Sequence, residues 1–273
     1  MIAIPRRIAR IPLLRGVVRL ILAGWASLLY GRYLVERRQG LTLLIDRTNA
    51  VDRELHISGA WEPQTVERLF SLVAAERQYR PEGAVFLDVG AHWGFYALLA
   101  HKKGWFERIV AVEPDPTNYA QLQANLFLNG ASTAIEALKL AASDRVATFG
   151  LSVDSRNRGG SHLVEARDDI ATCQAARLDT MLDFAGRLLV VKIDVEGHEE
   201  PAIEGMLAVL ARNHCVLQIE IWNLPGDQRR ALRLTEQLAR LGIHHVDTVD
   251  RDHFFVSGRK ADTADHHGVG GTE

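Results

Sequence analysis

The sequence predicts an α/β fold built on a mostly parallel sheet, with helices on both faces and an antiparallel C-terminal hairpin strand. Short apolar segments alternate with helical segments from about residue 84 to residue 256, as in parallel sheets that are covered on both faces. The 273 residues are 47% hydrophobic and 24% charged, which excludes a mostly disordered or collagen-like chain. Polar residues follow several predicted strands, at the edge where open α/β sheets bind ligands.

The first 40 residues form a basic N-terminal segment. They contain eight arginines and one glutamate, a charge of +7, whereas the remainder carries −9. The longest charge-free stretch, Leu20 to Gly31, has twelve residues, and a bilayer span needs about 20. The spacing of the apolar residues favours an amphipathic helix. Two alternatives remain: the helix packs on the main domain, or residues 1–34 lie on an anionic membrane surface as a peripheral contact.

Charge and cysteine content restrict the partners and the compartment. The net charge of −2 argues against a nucleic-acid partner. Cys173 and Cys215 lie far apart with no metal-ligand spacing, so neither a disulfide framework nor a zinc site is expected. A reducing cytoplasmic location fits, either free or at the inner face of the membrane. The sequence gives no oligomeric state.

The chain divides into four predicted parts: residues 1–40 as the basic segment, 41–82 as a strand and helix extension, 83–258 as the main domain, and 259–273 as a flexible tail. In the extension we predict strands at Thr42–Ile45 and Glu54–Ile57 and a helix from Glu62-Pro63 to Ala75. The turn Arg80-Pro-Glu-Gly83 marks the boundary.

The main domain repeats a strand and helix pattern. Its predicted strands are 85–87, 108–112, 135–141, 147–153, 188–193 and 216–221. Its predicted helices are 95–103, 116–128, 199–211 and 227–240. A hairpin of 243–249 and 253–256 closes the domain.

The first two strand ends of the main domain predict a site for a nucleoside-bearing cofactor. Asp88-Val-Gly90-Ala-His92-Trp-Gly94 is a turn in which small residues allow close approach of a ligand. It lacks the third glycine of a dinucleotide site, and its acid suits a cationic ligand. Glu113 follows 25 positions later, where an acid can bind ribose hydroxyls. The alternative for Glu113 is that it caps the following helix. Ser143 and Asp144 meet an adenine edge or form a turn.

The stretch Lys192-Ile-Asp194-Val-Glu196-Gly-His198-Glu199 predicts the catalytic chemistry. A lysine in an apolar strand requires a charged partner. Asp194 and His198 are candidate bases, and Lys192 balances the carboxylates. Asp194, Glu196 and Glu220 form an alternative set of ligands for a divalent cation such as Mg²⁺, and the acid–base interpretation is favoured over the metal.

Together, the turn 88–94, Glu113-Pro-Asp-Pro116 and the stretch 192–199 resemble the FkbM family of class I S-adenosylmethionine-dependent methyltransferases. The resemblance covers about Gly83 to Trp222 and includes Arg177-Leu-Asp179. It implies a seven-stranded Rossmann-like sheet with an antiparallel final hairpin strand. His92-Trp93 departs from the family, which usually has Asn and a small aliphatic residue there.

The resemblance also implies roles for individual residues. Asp88, Gly90, His92 and Gly94 would line the methionine end of S-adenosylmethionine, and Glu113 would hold its ribose. Ser143 and Asp144 would lie beside the adenine, and Asp194 between cofactor and acceptor.

The expected reaction is methyl transfer to a hydroxyl of a sugar, a glycan or another small metabolite. Oxygen is favoured as acceptor atom because the Asn/Asp-Pro-Pro-aromatic run of nitrogen methyltransferases is absent after the fourth strand. Two alternatives of other classes are an NAD(P)-dependent reductase on a similar sheet and a non-catalytic membrane-associated adaptor.

Overall fold

The computed structural model describes residues 31–78, 83–154, 156–221 and 227–258. Most of the basic segment, most of the predicted boundary turn and the tail after Gly258 lie outside these ranges, so those predictions stay predictions. Among the described residues, no helix combines the length and the apolar character needed to cross a membrane.

The described residues form three sheets and the helices between them. The strands are β1 (Tyr33–Arg38), β2 (Leu41–Asp46), β3 (Ala84–Val89), β4 (Arg108–Val112), β5 (Ile135–Leu138), β6 (Ala141–Ala142), β7 (Ala147–Ser152), β8 (His162–Val164), β9 (Thr172–Ala176), β10 (Leu188–Ile193), β11 (His214–Glu220), β12 (Ile243–Val249) and β13 (Asp252–Ser257). The helices are α1 (Ala50–Ser58), α2 (Pro63–Arg77), α3 (Phe95–Lys103), α4 (Pro116–Leu128), α5 (Glu199–Glu204), α6 (Leu207–Ala211) and α7 (Asp227–Arg240).

The main sheet has seven strands in the order β12-β13-β11-β10-β3-β4-β5. β11, β10, β3, β4 and β5 are parallel, and β13 runs antiparallel to both β11 and β12. Every residue of β3 and β10 is buried, as expected for central strands that are covered on both faces. The predicted fold, including its antiparallel final hairpin strand, is confirmed.

Two apolar cores cover the two faces of this sheet. One face of β3 packs through Phe86 against α2, α3 and α4, and the other packs through Leu87 against α5, α6 and α7. Leu43 of β2, Leu55 of α1 and Leu69 of α2 belong to the first core. The described residues before position 79 therefore share a core with the main domain.

Helix α4 holds the two-stranded sheet of β1 and β2 in place. Asn129 accepts a hydrogen bond from the Thr42 amide at 3.0 Å, and Asn125 accepts one from the Leu44 amide at 2.7 Å. Gln121 donates to the Leu44 carbonyl at 2.8 Å. Because these side chains bind the backbone of β2 as a neighbouring strand would, its open edge is paired.

The predicted strand Glu54–Ile57 is wrong, because these residues lie within α1. Val51 and Leu55 stand four positions apart and place apolar side chains on one side of the helix. Gly59, with φ +82°, ends the helix by donating its amide to the Leu55 carbonyl at 2.9 Å. The helical spacing extends over only two turns, which is too short to distinguish a helix from a strand with alternating apolar residues.

Two other predicted elements are divided in the structure. The predicted helix 199–211 is two helices that break at Gly205, where a Cβ would collide with the Ser143 carbonyl. The predicted strand 135–141 is β5 of the main sheet followed by β6, which joins the four-stranded sheet β6-β9-β7-β8. The sequence did not predict this second sheet, since only β7 among its strands was expected.

Candidate functional site

A cavity of about 350 Å³ opens at the carboxyl ends of β3, β4 and β10. The turn after β3, the end of β4 and the segment after β10 form three of its walls. Residues 157–163 form another, and residues from α1 and from the loop before α2 complete it. The location is the one expected for a ligand site of an open α/β sheet.

The end of β3 holds a buried carboxylate, Asp88, next to Val89 and Gly90, which line the cavity. Asp88 accepts a hydrogen bond from the Ala97 amide at 2.9 Å through Oδ2. Its Oδ1 is buried and has no hydrogen-bond partner among the described residues. Burial raises the pKa of Asp88 to about 6, so the group is ionised at neutral pH. A buried, ionised oxygen without a partner suits a cationic ligand group.

The backbone of this turn requires glycine at position 90. Gly90 has φ +78°, and a Cβ on it would collide with the Asp194 carbonyl. The Gly90 and Ala91 amides both donate to the Val112 carbonyl, at 2.9 and 3.0 Å. The ends of β3, β4 and β10 are therefore packed backbone to backbone around the turn.

Glu113 connects the end of β4 to the turn. It accepts hydrogen bonds from the His92 amide at 2.8 Å and from the Asp115 amide at 2.9 Å. Burial raises the pKa of Glu113 to about 7. Asp115 caps α4 by accepting from Thr117 and Asn118, so the alternative that Glu113 caps this helix is wrong. Oε1 also accepts from the Asn118 side chain at 3.4 Å, whereas Oε2 keeps a second lone pair for a hydroxyl donor.

His92 lies in the turn as a neutral imidazole. Burial lowers its pKa to about 4. Its Nε2 lies 3.4 Å from Nδ2 of Asn49, which also donates to Asp52 at 3.3 Å. Because an amide nitrogen only donates, Nε2 accepts and Nδ1 carries the proton. The imidazole is thus oriented by the segment before α1.

Ser143, Asp144 and His198 form a second group, at the end of β6. The Ser143 hydroxyl lies 3.1 Å from Nε2 of His198 and donates to Asp144 at 3.0 Å. Phe149 packs edge-on against the His198 ring, with centroids 5.5 Å apart. Arg177 fixes this strand end by donating to the Asp144 carbonyl at 2.7 Å. Burial lowers the pKa of His198, which favours the neutral ring.

Lys192 and Asp194 form the charged centre of the site. The Lys192 ammonium is buried, donates to Asp194 at 3.1 Å and lies 5.3 Å from the centroid of the Tyr96 ring. Burial acts to lower the pKa of Lys192, but Asp194 and other carboxylates outweigh it and raise that pKa. Burial acts to raise the pKa of Asp194, but Lys192 outweighs it and lowers that pKa. Both groups are therefore ionised at neutral pH.

Glu196 and Glu220 complete the carboxylate group around Asp194. One oxygen from each of the three lies within 4.8 Å of the others, so the residues predicted as ligands for a divalent cation are brought together. Burial, together with the charge of Asp194, raises the pKa of Glu220 and raises that of Glu196 to about 7. Asp194 and Glu220 share a hydrogen bond. The raised pKa values show that a proton can be shared within this trio, at the position where a cation would otherwise bind.

The structure separates the two candidate bases. In the described part of the chain, His198 bonds to Ser143, whereas Asp194 bonds to Lys192 and Glu220. Strand alternation would place Lys192, Asp194 and Glu196 on one face if the strand continued that far, but β10 ends at Ile193 and Glu196 has φ +51°. The chain turns at Glu196 and carries His198 to the side of Ser143.

Sequence reasoning missed the contribution of residues 49–62. Asn49, Trp61 and Glu62 contact the site or line the cavity. Glu62-Pro63 was taken only as a helix start, and its neighbours carry no motif. Arg251, from the turn between β12 and β13, also lines the cavity and was not singled out.

Comparison with known proteins gives a family match over more than half of the chain. The model described as "Methyltransferase FkbM domain" matches residues 88–255. Methyltransferase sdnD of Sordaria araneosa is 33% identical over 119 residues, which are 42% of this chain and 45% of sdnD. Hexuronic acid methyltransferase AglP of Haloferax volcanii is 26% identical over 185 residues, which are 66% of this chain and 72% of AglP. The match thus spans less than half the length of sdnD.

Solved structures with similar chains include a methylase and a protein in complex with AdoMet. Ribosomal protein L11 methylase from Lactobacillus delbrueckii subsp. bulgaricus matches with a TM-score of 0.44 and 16% identity, covering 74% of this chain and 81% of that one. TYW2 of M. jannaschii in complex with AdoMet matches with a TM-score of 0.41 and 16% identity, covering 84% and 86%. At these TM-scores and identities, the similarities give no evidence about activity.

Proposed function

The chain belongs to the FkbM methyltransferase family, and from this premise we propose that it transfers a methyl group from S-adenosylmethionine to a hydroxyl oxygen of a sugar. The observation that carries the proposal is the pair Asp88 and Glu113, two buried carboxylates at neighbouring strand ends. Glu113 lines the cavity, and Asp88 directly precedes Val89 and Gly90, which line it. A sugar as acceptor class is supported by the relative AglP, which is named a hexuronic acid methyltransferase.

The residues fit the cofactor at both of its polar ends. Oδ1 of Asp88 would accept from the ammonium of the methionine moiety, because it is ionised, buried and without a partner among the described residues. Glu113 would accept from the ribose hydroxyls. Gly90, His92 and Gly94 would line the methionine end, and Ser143 and Asp144 would lie beside the adenine.

We assign the proton transfer to Asp194. The bound cofactor supplies a methyl group on a sulfonium sulfur, which is already electrophilic. When the acceptor oxygen takes the methyl group and the carbon–sulfur bond breaks, the hydroxyl proton would pass to Asp194. An electrophile this reactive permits late proton transfer, so a carboxylate whose pKa is lowered by Lys192 suffices. The products are the methyl ether and S-adenosylhomocysteine.

His198 is the second candidate base. Comparing Asp194→Asn with His198→Ala separates the two, because only the variant that removes the base lowers kcat by roughly 10²–10⁴-fold. Loss of kcat in His198→Ala alone would transfer the role to His198. Adding and chelating Mg²⁺ in the same assay tests the predicted cation site at Asp194, Glu196 and Glu220.

Isothermal titration with S-adenosylmethionine and S-adenosylhomocysteine tests the cofactor assignment. We expect binding to the wild type, a loss of about tenfold or more in Glu113→Gln, and no change in the control Glu165→Gln, since Glu165 is exposed. Equal affinity in the two variants would refute the role of Glu113. No binding of either ligand, combined with binding of NADPH, would refute the methyltransferase and favour a reductase.

A further inference from the structure

The end of the cavity beside Asp194 is partly built by residues outside the matched family domain. Trp61 and Glu62 lie in the loop between α1 and α2 and line the cavity. Gln39, in the turn between β1 and β2, fixes this loop: it accepts from the Trp61 amide at 2.8 Å and donates to the Trp61 carbonyl at 3.3 Å. The loop is therefore held in position by the two-stranded sheet that packs on α4.

One carboxylate oxygen of Glu62 is fixed by a hydrogen bond, and the other is available to a ligand. Its Oε2 accepts a hydrogen bond from the Tyr96 hydroxyl at 2.6 Å, and Tyr96 in turn accepts from Gln218 at 3.1 Å. Oε1 has no hydrogen-bond partner among the described residues and belongs to a side chain that lines the cavity. The backbone of Glu62 is left-handed, with φ +44°, a conformation that costs a non-glycine residue free energy. Contacts with surrounding residues therefore stabilise a position of this carboxylate that the backbone preference of Glu62 disfavours.

Electrostatics places Glu62 beside the methyl-transfer centre. Burial raises the pKa of Glu62, and the charges of Lys192 and Asp194 act on it as well. The pKa of Glu113 is set instead by its burial and by Asp115 and other near neighbours. Tyr96, which donates to Glu62 at 2.6 Å, has its ring centroid 5.3 Å from the Lys192 ammonium. Glu62 therefore lies on the Asp194 side of the cavity and not on the ribose side.

The charges of the cavity wall disfavour an anionic acceptor. Among the described residues that line it, each lysine and arginine is already paired: Lys192 with Asp194 at 3.1 Å, Arg251 with Glu220 at 3.0 Å, and Arg158 with Asp115 at 2.9 Å. An acceptor carboxylate would lie near these acids without a free cation, which is costly in a buried site. Hydroxyl groups, which donate to carboxylates, suit the same wall.

Trp61 supplies the apolar surface of the acceptor end. Its indole is half-buried and packs at the edge of the apolar core while lining the cavity. An aromatic face beside a carboxylate matches a pyranose, which has an apolar C–H face and a rim of hydroxyl groups.

Resting on the proposed function, we propose that Trp61 and Glu62 form the acceptor subsite and select an uncharged pyranose. The sugar ring lies on the Trp61 indole, Glu62 accepts one ring hydroxyl through Oε1, and a neighbouring hydroxyl is directed toward Asp194. The segment before the family domain thus determines acceptor specificity.

The test measures S-adenosylhomocysteine formation by the full-length protein. The probes are the methyl glycosides of glucose, galactose and mannose, the matching hexuronic acid glycosides and methyl glucosaminide. We expect turnover of at least one neutral glycoside at a kcat/KM about tenfold or more above its hexuronic acid. Glu62→Gln should raise the acceptor KM about tenfold, and Trp61→Leu about threefold to tenfold. Neither variant should change the Kd of S-adenosylmethionine by more than about twofold.

Matched controls are Glu67→Gln, an exposed glutamate on α2, and Trp105→Leu, a half-buried tryptophan outside the cavity wall. Both should leave the acceptor KM unchanged. Trp61→Phe keeps an aromatic face and should give an intermediate KM, which also covers the case that Trp61→Leu fails to fold.

Three results would overturn the proposal. Preference for the hexuronic acid or the amino sugar would show that the subsite selects a charged acceptor. A rise in the Kd of S-adenosylmethionine with unchanged acceptor KM would place both residues at the cofactor. Turnover of no glycoside with cofactor binding intact would reject the pyranose alone, whereas absence of cofactor binding would reject the proposed function itself.

Discussion

Replacing Lys192 by methionine tests whether its ammonium neutralises the buried carboxylates of the site. Methionine keeps an unbranched apolar chain of similar length but leaves Asp194 and Asp88 without their cation. Coulomb's law at an effective dielectric constant of about 20 gives roughly 5 kcal/mol for two charges 3.1 Å apart. Breaking a buried pair typically costs about 3–5 kcal/mol. Because 28% of the Asp194 side chain is exposed, water screens part of the charge, and we expect a loss near the lower limit.

The pH dependence gives the sharper test. In the wild type the lowered pKa of Asp194 adds stability above the unfolded value, and this contribution is lost only as pH falls through the folded pKa. Without Lys192, the pKa of Asp194 rises above its unfolded value and that of Asp88, already about 6, rises further, so the folded state loses stability as pH rises through them. The difference between variant and wild type should therefore be larger at pH 8 than at pH 5.

Urea unfolding followed by tryptophan fluorescence measures this difference. At pH 8 we expect Lys192→Met to lose about 3 kcal/mol, or roughly 6 to 12 °C in Tm for a protein of this size. Lys139→Met is the control, because Lys139 is exposed at the end of β5. A loss below about 1 kcal/mol, or an equal loss at both pH values, would refute the reasoning that this ammonium neutralises the site.

Three further predictions follow from the site and from the N-terminal segment. Since burial raises the pKa of Glu113 to about 7, affinity for S-adenosylmethionine should increase between pH 6 and pH 8. Titration calorimetry should show a smaller increase in Glu113→Gln, which keeps only the ionisation of Asp88, with its pKa of about 6; an unchanged increase would refute the role of Glu113. Gly90→Ala should abolish cofactor binding and lower Tm well below that of Gly104→Ala. Both glycines have positive φ, but only at Gly90 would a Cβ collide with another strand end; equal effects would refute the close approach. Deleting residues 1–30, which leaves β1 intact, should abolish sedimentation with phosphatidylserine vesicles; unchanged sedimentation would reject the membrane alternative.

The main sheet could be predicted because its signals are local. β3 and β10 are short apolar runs that can be recognised alone, and the Gly130 turn and the Pro116 start delimit α4. Helix α1 was missed because it has only nine residues, and Leu55 and Ile57, two positions apart, also fit the alternation of a strand. The sheet of β6 to β9 was missed because most of its strands have two to five residues, too few to show alternation. Helix α1 and the sheet of β6 to β9 are both elements whose conformation depends on the residues that pack against them.

The residues of the candidate site likewise divide into those with a local sequence signal and those whose position depends on packing. Asp88 and Glu113 follow apolar strands directly, and parallel strands bring their carboxyl ends together, so the sequence alone placed both at one edge of the sheet. The pairing of Lys192 with Asp194 was also accessible, since a lysine within a buried strand requires an opposite charge nearby. The separation of His198 from Asp194 was not accessible, because it depends on the left-handed turn at Glu196.

The acceptor end shows why the remaining part could not be predicted. Glu62 and Gln218 are separated by more than half of the chain, and Tyr96 joins them through a hydrogen bond with each. The loop that carries Glu62 is positioned by Gln39, whose own place depends on β2 bonding to α4. No regular spacing in the sequence identifies these residues, because their contacts form only when the core packs. The cofactor end is thus encoded within single strand and turn motifs, whereas the acceptor end is encoded in the packing of residues 31–78 on the family domain. Changes in this segment are therefore expected to alter acceptor choice while cofactor affinity stays the same.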